Sequence, residues 1–123
     1  MTNSRPSPNY DLQVADLVSE LERLDRVEEP VEEAPHTGVP SYRMKMGREI
    51  IWLNTVEFRI LRFLAATPYK AYSRRQIAEA VSTTRHPVDA ETLDTYIASL
   101  REGLGFFRDY IQAVPYIGYR FKA

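Results

Sequence analysis

Cysteine is absent from the 123 residues, which removes disulfide frameworks and thiolate zinc sites together. No stretch approaches the roughly 18 consecutive apolar residues that a membrane-crossing helix needs. The opening MTNSRPSPNYD lacks the basic-then-apolar order of a secretory leader, so the cytoplasm is the expected compartment. There is no glycine-rich phosphate loop, and Gly103-Leu104-Gly105 stands where a helix is expected to stop. Each of the two histidines, His36 and His86, sits beside a proline. Neither is accompanied by a nucleophile, a metal-ligand cluster or paired carboxylates. The expectation is a protein that is not an enzyme and needs neither cofactor nor metal.

What is present is divided by charge. Residues 1–38 carry three basic and nine acidic side chains, and residues 39–123 carry thirteen and eight. A net charge of −1 thus conceals an acidic arm (1–38) on a basic body (39–123). That division suits a chain that meets a polyanion, although solvated charged faces alone give the same counts. The length fits one domain with an arm.

In the arm, residues 1–9 are expected to be disordered. A helix is predicted over about 10–27, where Tyr10, Val14, Leu17, Leu21 and Leu24 alternate gaps of four and three, a seam of two heptads. So short a helix is marginal alone. It must dock on a second copy, giving a homodimer, or on the body. Residues 28–40, EEPVEEAPHTGVP, read as a linker too rich in proline and glutamate to fold. The acids on this tether can also occupy the basic face and compete with nucleic acid.

The body opens with a predicted hairpin, 42–46 against 49–53, with a third strand near Thr37–Val39. Trp52 is expected under this sheet. Asn54 with Glu57 marks a capped helix that stops before Pro68, with Arg59 and Arg62 on its outer face. Ala71-Tyr72 is a short strand, and Ser73 with Gln76 caps the next helix, whose core face is Ile77, Ala80 and Val81. A loop over 82–88 leads to the helix of about 89–104, capped by Asp89, with Leu93, Ile97, Leu100 and Leu104 in one apolar stripe. Two β-prone runs, 110–114 and 118–121, flank Pro115-Tyr116-Ile117-Gly118 as a terminal hairpin. Phe58, Leu61, Leu64, Ile77, Leu93, Ile97, Leu100, Val114 and Phe121 are the expected core. A helix followed at once by a hairpin is the working half of a winged helix-turn-helix, an α+β fold.

Four segments, in order, carry a resemblance. Leu53–Leu61 matches "LT-x-x-EF-x-LL", Ser73–Ile77 "SREQL", Thr92–Arg101 "TVDVHI-x-RLR", and Ile117–Phe121 "VGYRF". From Tyr42 onward the chain resembles the DNA-binding output domain of OmpR/PhoB-type response regulators. No receiver domain fits ahead of the linker, so the expectation is a stand-alone output domain. The resemblance implies a transcriptional regulator that binds double-stranded DNA at the nucleoid. Its helix 89–104 would enter the major groove and its wing, about 110–122, would lie on the backbone or minor groove.

Outward positions of that helix are Glu91, Thr92, Thr95, Tyr96, Ala98, Ser99 and Glu102, where the family carries arginine and histidine. Base-reading candidates are Glu91, Thr92, Thr95, Tyr96 and Ser99. A threonine methyl suits thymine, and Glu91 suits a cytosine amine. Backbone candidates are Lys70, Arg74, Arg75, Arg85, Arg101, Tyr119, Arg120 and Lys122, with Tyr96 also able to bond a phosphate. The connecting loop, through Thr84, Arg85 and His86, is implied to touch RNA polymerase. The wing departs from the family too, with Ala113 and Pro115 where the family has threonine and arginine. The depleted helix leaves a second class open: a winged-helix module whose recognition face, with Tyr96, Tyr116 and Ile117, meets protein.

Overall fold

The computed structural model describes residues 10–27 and 29–122, with side chains from Val14 onward. The expectation for residues 1–9 lies outside these, as does the side chain of Tyr10. Alternation decides the first sheet. In β2 (Pro40–Met46) Tyr42, Met44 and Met46 are buried while Arg43 and Lys45 are exposed, the pattern of a sheet with one wet face. β3 (Glu49–Leu53) pairs antiparallel to it, from Tyr42 opposite Leu53 to Met46 opposite Glu49. Gly47, at φ +63°, supplies the left-handed residue of the tight turn.

The predicted linker is partly structured. Glu32–Glu33 forms β1, pairing with Ser41 and Pro40, and Ala34 is buried. The third strand therefore lies upstream of its predicted place near Thr37–Val39, and those residues form the turn, with Gly38 N–H donating to Ala34 O at 2.8 Å. Strand pairing uses backbone groups alone, so two glutamates whose side chains stay in solvent do not oppose it.

α1 (Tyr10–Leu24) is shorter than its prediction and docks on β2. Leu17, Leu21 and Leu24 are buried in the common core, and Val14 is half-buried. Of the two docking partners open to the seam, a second copy or the body, the body is the one its leucines meet. Its leucines share one buried cluster with Tyr42, Met44 and Met46 of β2, which removes apolar surface of both elements from water. Polar groups complete the dock. Lys45 N–H donates to Glu20 Oε1 at 2.6 Å, and Arg23 Nη2 donates to Arg43 O at 2.9 Å. An ion pair on α1 satisfies backbone groups on the β2 edge that β1 is too short to reach.

α2 (Thr55–Ala65) is closed by the predicted capping box, in which Glu57 N–H donates to Asn54 Oδ1 and Asn54 N–H to Glu57 Oε1, both at 2.9 Å. Its Phe58 ring stacks on Tyr42 at 4.1 Å between centroids. Arg59 and Arg62 are not free on an outer face: Arg59 Nε donates to Val81 O at 3.1 Å, and Arg62 pairs with Asp25 at 2.5 Å. α3 (Arg74–Val81) has the Ser73–Gln76 box and buries Ala78 rather than Ala80. α4 (Ala90–Leu104) buries Leu93, Ile97, Leu100 and Leu104 as predicted and ends at Gly105, φ +55°. A 3-10 turn, Gly105–Tyr110, leads to the second sheet.

That sheet has the order β4 (Tyr72–Ser73), β6 (Gly118–Phe121), β5 (Ile111–Val114), all antiparallel. A Cβ on Gly118 would stand 2.1 Å from Tyr72 O, so only glycine lets β6 approach β4 there. The predicted core is buried except Val114, which is half-buried near the wing tip. Trp52 is also half-buried, at the rim of a cleft with Ser99 and Glu102.

Candidate nucleic-acid interface

α4 is placed by its N-terminal cap and by the packing of its apolar stripe. Asp89 Oδ1 accepts from Thr92 N–H at 2.9 Å, and Thr92 Oγ1 returns a bond from Asp89 N–H at 3.3 Å. The apolar stripe sets the rotation of the helix against α2 and α3. At 100° per residue the generator opposite that stripe carries Glu91, Thr95, Ala98 and Glu102, and all four are exposed.

This rotation sorts the five base-reading candidates. Glu91 and Thr95 stand on the outward ridge. Thr92 is exposed, but its hydroxyl is engaged in the cap, 3.1 Å from Asp89 Oδ1. Tyr96 turns toward the N-terminal layer and lines a crevice with Pro30, Asn54, Val56 and His86. Ser99 turns the same way and donates to the buried carboxylate of Glu57 through Oε2. The two wider members of the ridge, Ala98 and Glu102, were legible as outward positions from the period alone.

The other flank of α4 meets the wing at Asp94, which no inspection of local sequence singles out. Tyr119 Oη donates to Asp94 Oδ1 at 2.5 Å, and Arg74 Nε donates to the same oxygen at 2.8 Å. Tyr119 is buried and Arg74 lies over its ring, 5.5 Å from Cζ to the centroid. The Tyr119 hydroxyl, then the Arg74 guanidinium, hold the Asp94 carboxyl below its ordinary value. Burial, then the Asp94 carboxylate, push the Tyr119 phenol up. The arrangement ties the first turn of α3, the middle of α4 and the central wing strand to one carboxylate.

Most of the backbone candidates are similarly held. Arg75 pairs with Glu79 at 3.2 Å, Arg85 with Glu29 at 3.5 Å and Arg101 with Asp109 at 3.7 Å. These pairs are largely solvent-exposed, worth little, and yield readily to a phosphate. Lys70, Arg120 and Lys122 have no carboxylate partner among the described residues. Lys70 Nζ sits 5.0 Å from the Tyr72 ring centroid, and Arg120 Cζ 5.8 Å from that of Tyr69. Arg120 Nε also donates across the wing to Gln112 Oε1 at 2.6 Å. Together they form a cationic, tyrosine-backed surface around β4 and β6, beyond which the wing tip exposes Tyr116 and Ile117.

The connecting loop exposes Thr84 and Arg85, while His86 is half-buried, its Nε2 enclosed without a hydrogen-bond partner among the described residues. Of the predicted contact loop, Thr84 and Arg85 present side chains outward. No helix in the described chain is long and apolar enough to cross a membrane, and no described group of His, Asp or Glu could hold a metal ion.

Residues 47–121 match the family described as transcriptional regulatory protein, C terminal. The phosphate regulon transcriptional regulatory protein PhoB of Escherichia coli K12 is 35% identical over 84 residues, 67% of this chain and 37% of PhoB. The chain therefore spans little more than a third of the length of that relative. Among solved structures, the C-terminal domain of the nisin resistance regulator NsrR superposes with a TM-score of 0.57 at 25% identity, over 66% of this chain and 84% of that one. The DNA-binding domain of the response regulator AdeR, solved in complex with an intercistronic region, gives 0.51 at 21% identity over 59% and 78%. With its α3–α4 pair, its wing and these matches, the chain belongs to the OmpR/PhoB-type family of winged-helix DNA-binding domains of transcriptional regulators.

Proposed function

We propose that this chain binds double-stranded DNA with α4 in the major groove and the wing on the backbone or minor groove, and thereby regulates transcription in the cytoplasm, at the nucleoid. The observation that carries this reading is the junction of α3, α4 and β6 at Asp94, which holds the outward ridge of α4 beside a wing lined by Lys70, Arg120 and Lys122. A rigid helix flanked by cations is what register on a duplex requires. AdeR, whose fold this chain shares, was solved in complex with an intercistronic region, which supports DNA as the partner here. Thr84 and Arg85 are the residues through which the loop would meet RNA polymerase.

The acidic ridge, with exposed Phe106, Tyr116 and Ile117, favours a second reading in which this face meets a protein. A salt titration separates the two. Binding of the full chain to a random-sequence duplex pool should weaken steeply with salt, at about 0.9 in log–log slope per phosphate contact. Lys70→Ala, Arg120→Ala and Lys122→Ala should each lower that slope by about one such step. Absence of duplex binding at low salt would reject the first reading in favour of the second.

A further inference from the structure

The ridge of α4 offers hydrogen-bond acceptors and methyl groups but no cation. Glu91 and Thr95 have no ion pair or side-chain hydrogen bond among the described residues, whereas their polar neighbours Thr92 and Asp94 are engaged in the cap and the wing junction. Guanine shows only acceptors, N7 and O6, in the major groove, so a carboxylate is repelled by it. Adenine places its amine beside the acceptor N7, which works against an acid. Cytosine presents its amine without an acceptor beside it on the same base, and is the best match to Glu91.

Spacing fixes the rest. Thr95 follows Glu91 by about 6 Å along the axis and Ala98 follows Thr95 by about 4.5 Å. Base pairs are stacked about 3.4 Å apart along a strand, so these steps correspond to about two base pairs and then about one. The small Thr95 and Ala98 let the helix approach closely enough for a methyl to meet a thymine methyl. Resting on the DNA-binding reading above, we propose that α4 selects cytosine opposite Glu91 and thymine two and three base pairs further on, in place of the arginine–guanine contacts that a basic recognition helix makes. Glu102, near the C-terminal end of the helix, bars guanine from the rim of the same site.

The test is selection from a random duplex pool with the full chain at low salt, followed by binding to single defined duplexes. The wild-type chain should enrich cytosine at one position and thymine two and three steps along. Glu91→Gln, which can pair with adenine N6 and N7, should move the first preference to adenine, changing the cytosine-to-adenine ratio by about 5- to 150-fold. Deoxyuridine in place of each thymine removes only a methyl and should weaken binding about 4-fold per site. Because the second variant lies in the DNA, its result does not depend on the protein refolding. Guanine enrichment at these positions, an unchanged preference in Glu91→Gln, or indifference to deoxyuridine would overturn the proposal while leaving the DNA-binding reading intact. No duplex binding at all would overturn both.

Discussion

The hydroxyl of Tyr119 donates to Asp94 across the gap between the wing and α4, at 2.5 Å, and the phenol is itself buried. The bond joins residues 25 positions apart and ties the wing directly to α4. The sequence placed Tyr119 among the candidates for contact with the DNA backbone. Its ring is buried and its oxygen is directed to α4, where it holds Asp94 while the ring backs Arg74.

Removing that hydroxyl isolates the bond. Tyr119→Phe keeps the ring in the core and should destabilise the fold by about 1 kcal/mol, the low end for a bond to a charged acceptor because Asp94 is half exposed. Urea unfolding would show the shift in midpoint with the slope unchanged. An unaltered midpoint would mean that the wing is held by backbone pairing alone.

The pH dependence of the junction has a definite sign at each end. Asp94 lies below its ordinary 3.8 in the fold. Its contribution is therefore complete above the unfolded value and is lost as pH falls through the lower folded value. Tyr119 lies above its ordinary 10.0, so its contribution is complete below 10.0 and is lost as pH rises through the folded value. Asp94→Asn should flatten the acid limb of stability against pH, below about pH 4, and Tyr119→Phe the alkaline limb. Urea midpoints over a pH series would read both, and parallel curves for wild type and variants would count against the junction.

Ser99 offers a contrast between stability and binding. Its hydroxyl serves Glu57, a residue only 6% exposed whose carboxylate is already engaged by the Asn54 cap. Ser99→Ala should cost about 1–3 kcal/mol by stranding a buried acceptor, while affinity for duplex DNA stays within about 2-fold. A large loss of affinity with stability intact would place Ser99 on the reading face after all.

α1 gives a prediction about assembly. Leu17 is fully buried between α1 and the first sheet, so Leu17→Ala should destabilise by about 2–4 kcal/mol. With the seam closed within the chain, sedimentation of the full protein should show no dimer held by residues 10–27. Cutting away residues 1–38 would remove α1 and β1 with the acids. Competition between the arm and DNA is therefore better tested with Asp25→Asn and Glu29→Gln, which release Arg62 and Arg85. Tighter duplex binding in that variant is the expected result if the arm inhibits, and equal affinity would dismiss it.

The sequence by itself determined every element whose cause is local. Asn54, Ser73 and Asp89 mark three helix starts because each cap bonds within three residues of itself. Alternation in β2 and the four-three spacing in α4 name their buried faces, and the four matched segments identify the family. Tertiary structure decided what depends on partners distant in the chain. The heptad seam of α1 is indifferent to what covers it, and the fold places β2 against it. The pairing of Glu32-Glu33 lies in backbone groups that side-chain composition conceals. Which of Glu91, Thr92, Thr95, Tyr96 and Ser99 face outward was fixed by the seating of α4, by Glu57 reaching across from α2, and by Asp94 bound from α3 and β6. Helical period narrows an exposed face to half a turn, and only the neighbours that claim its flanks leave the ridge of Glu91, Thr95, Ala98 and Glu102.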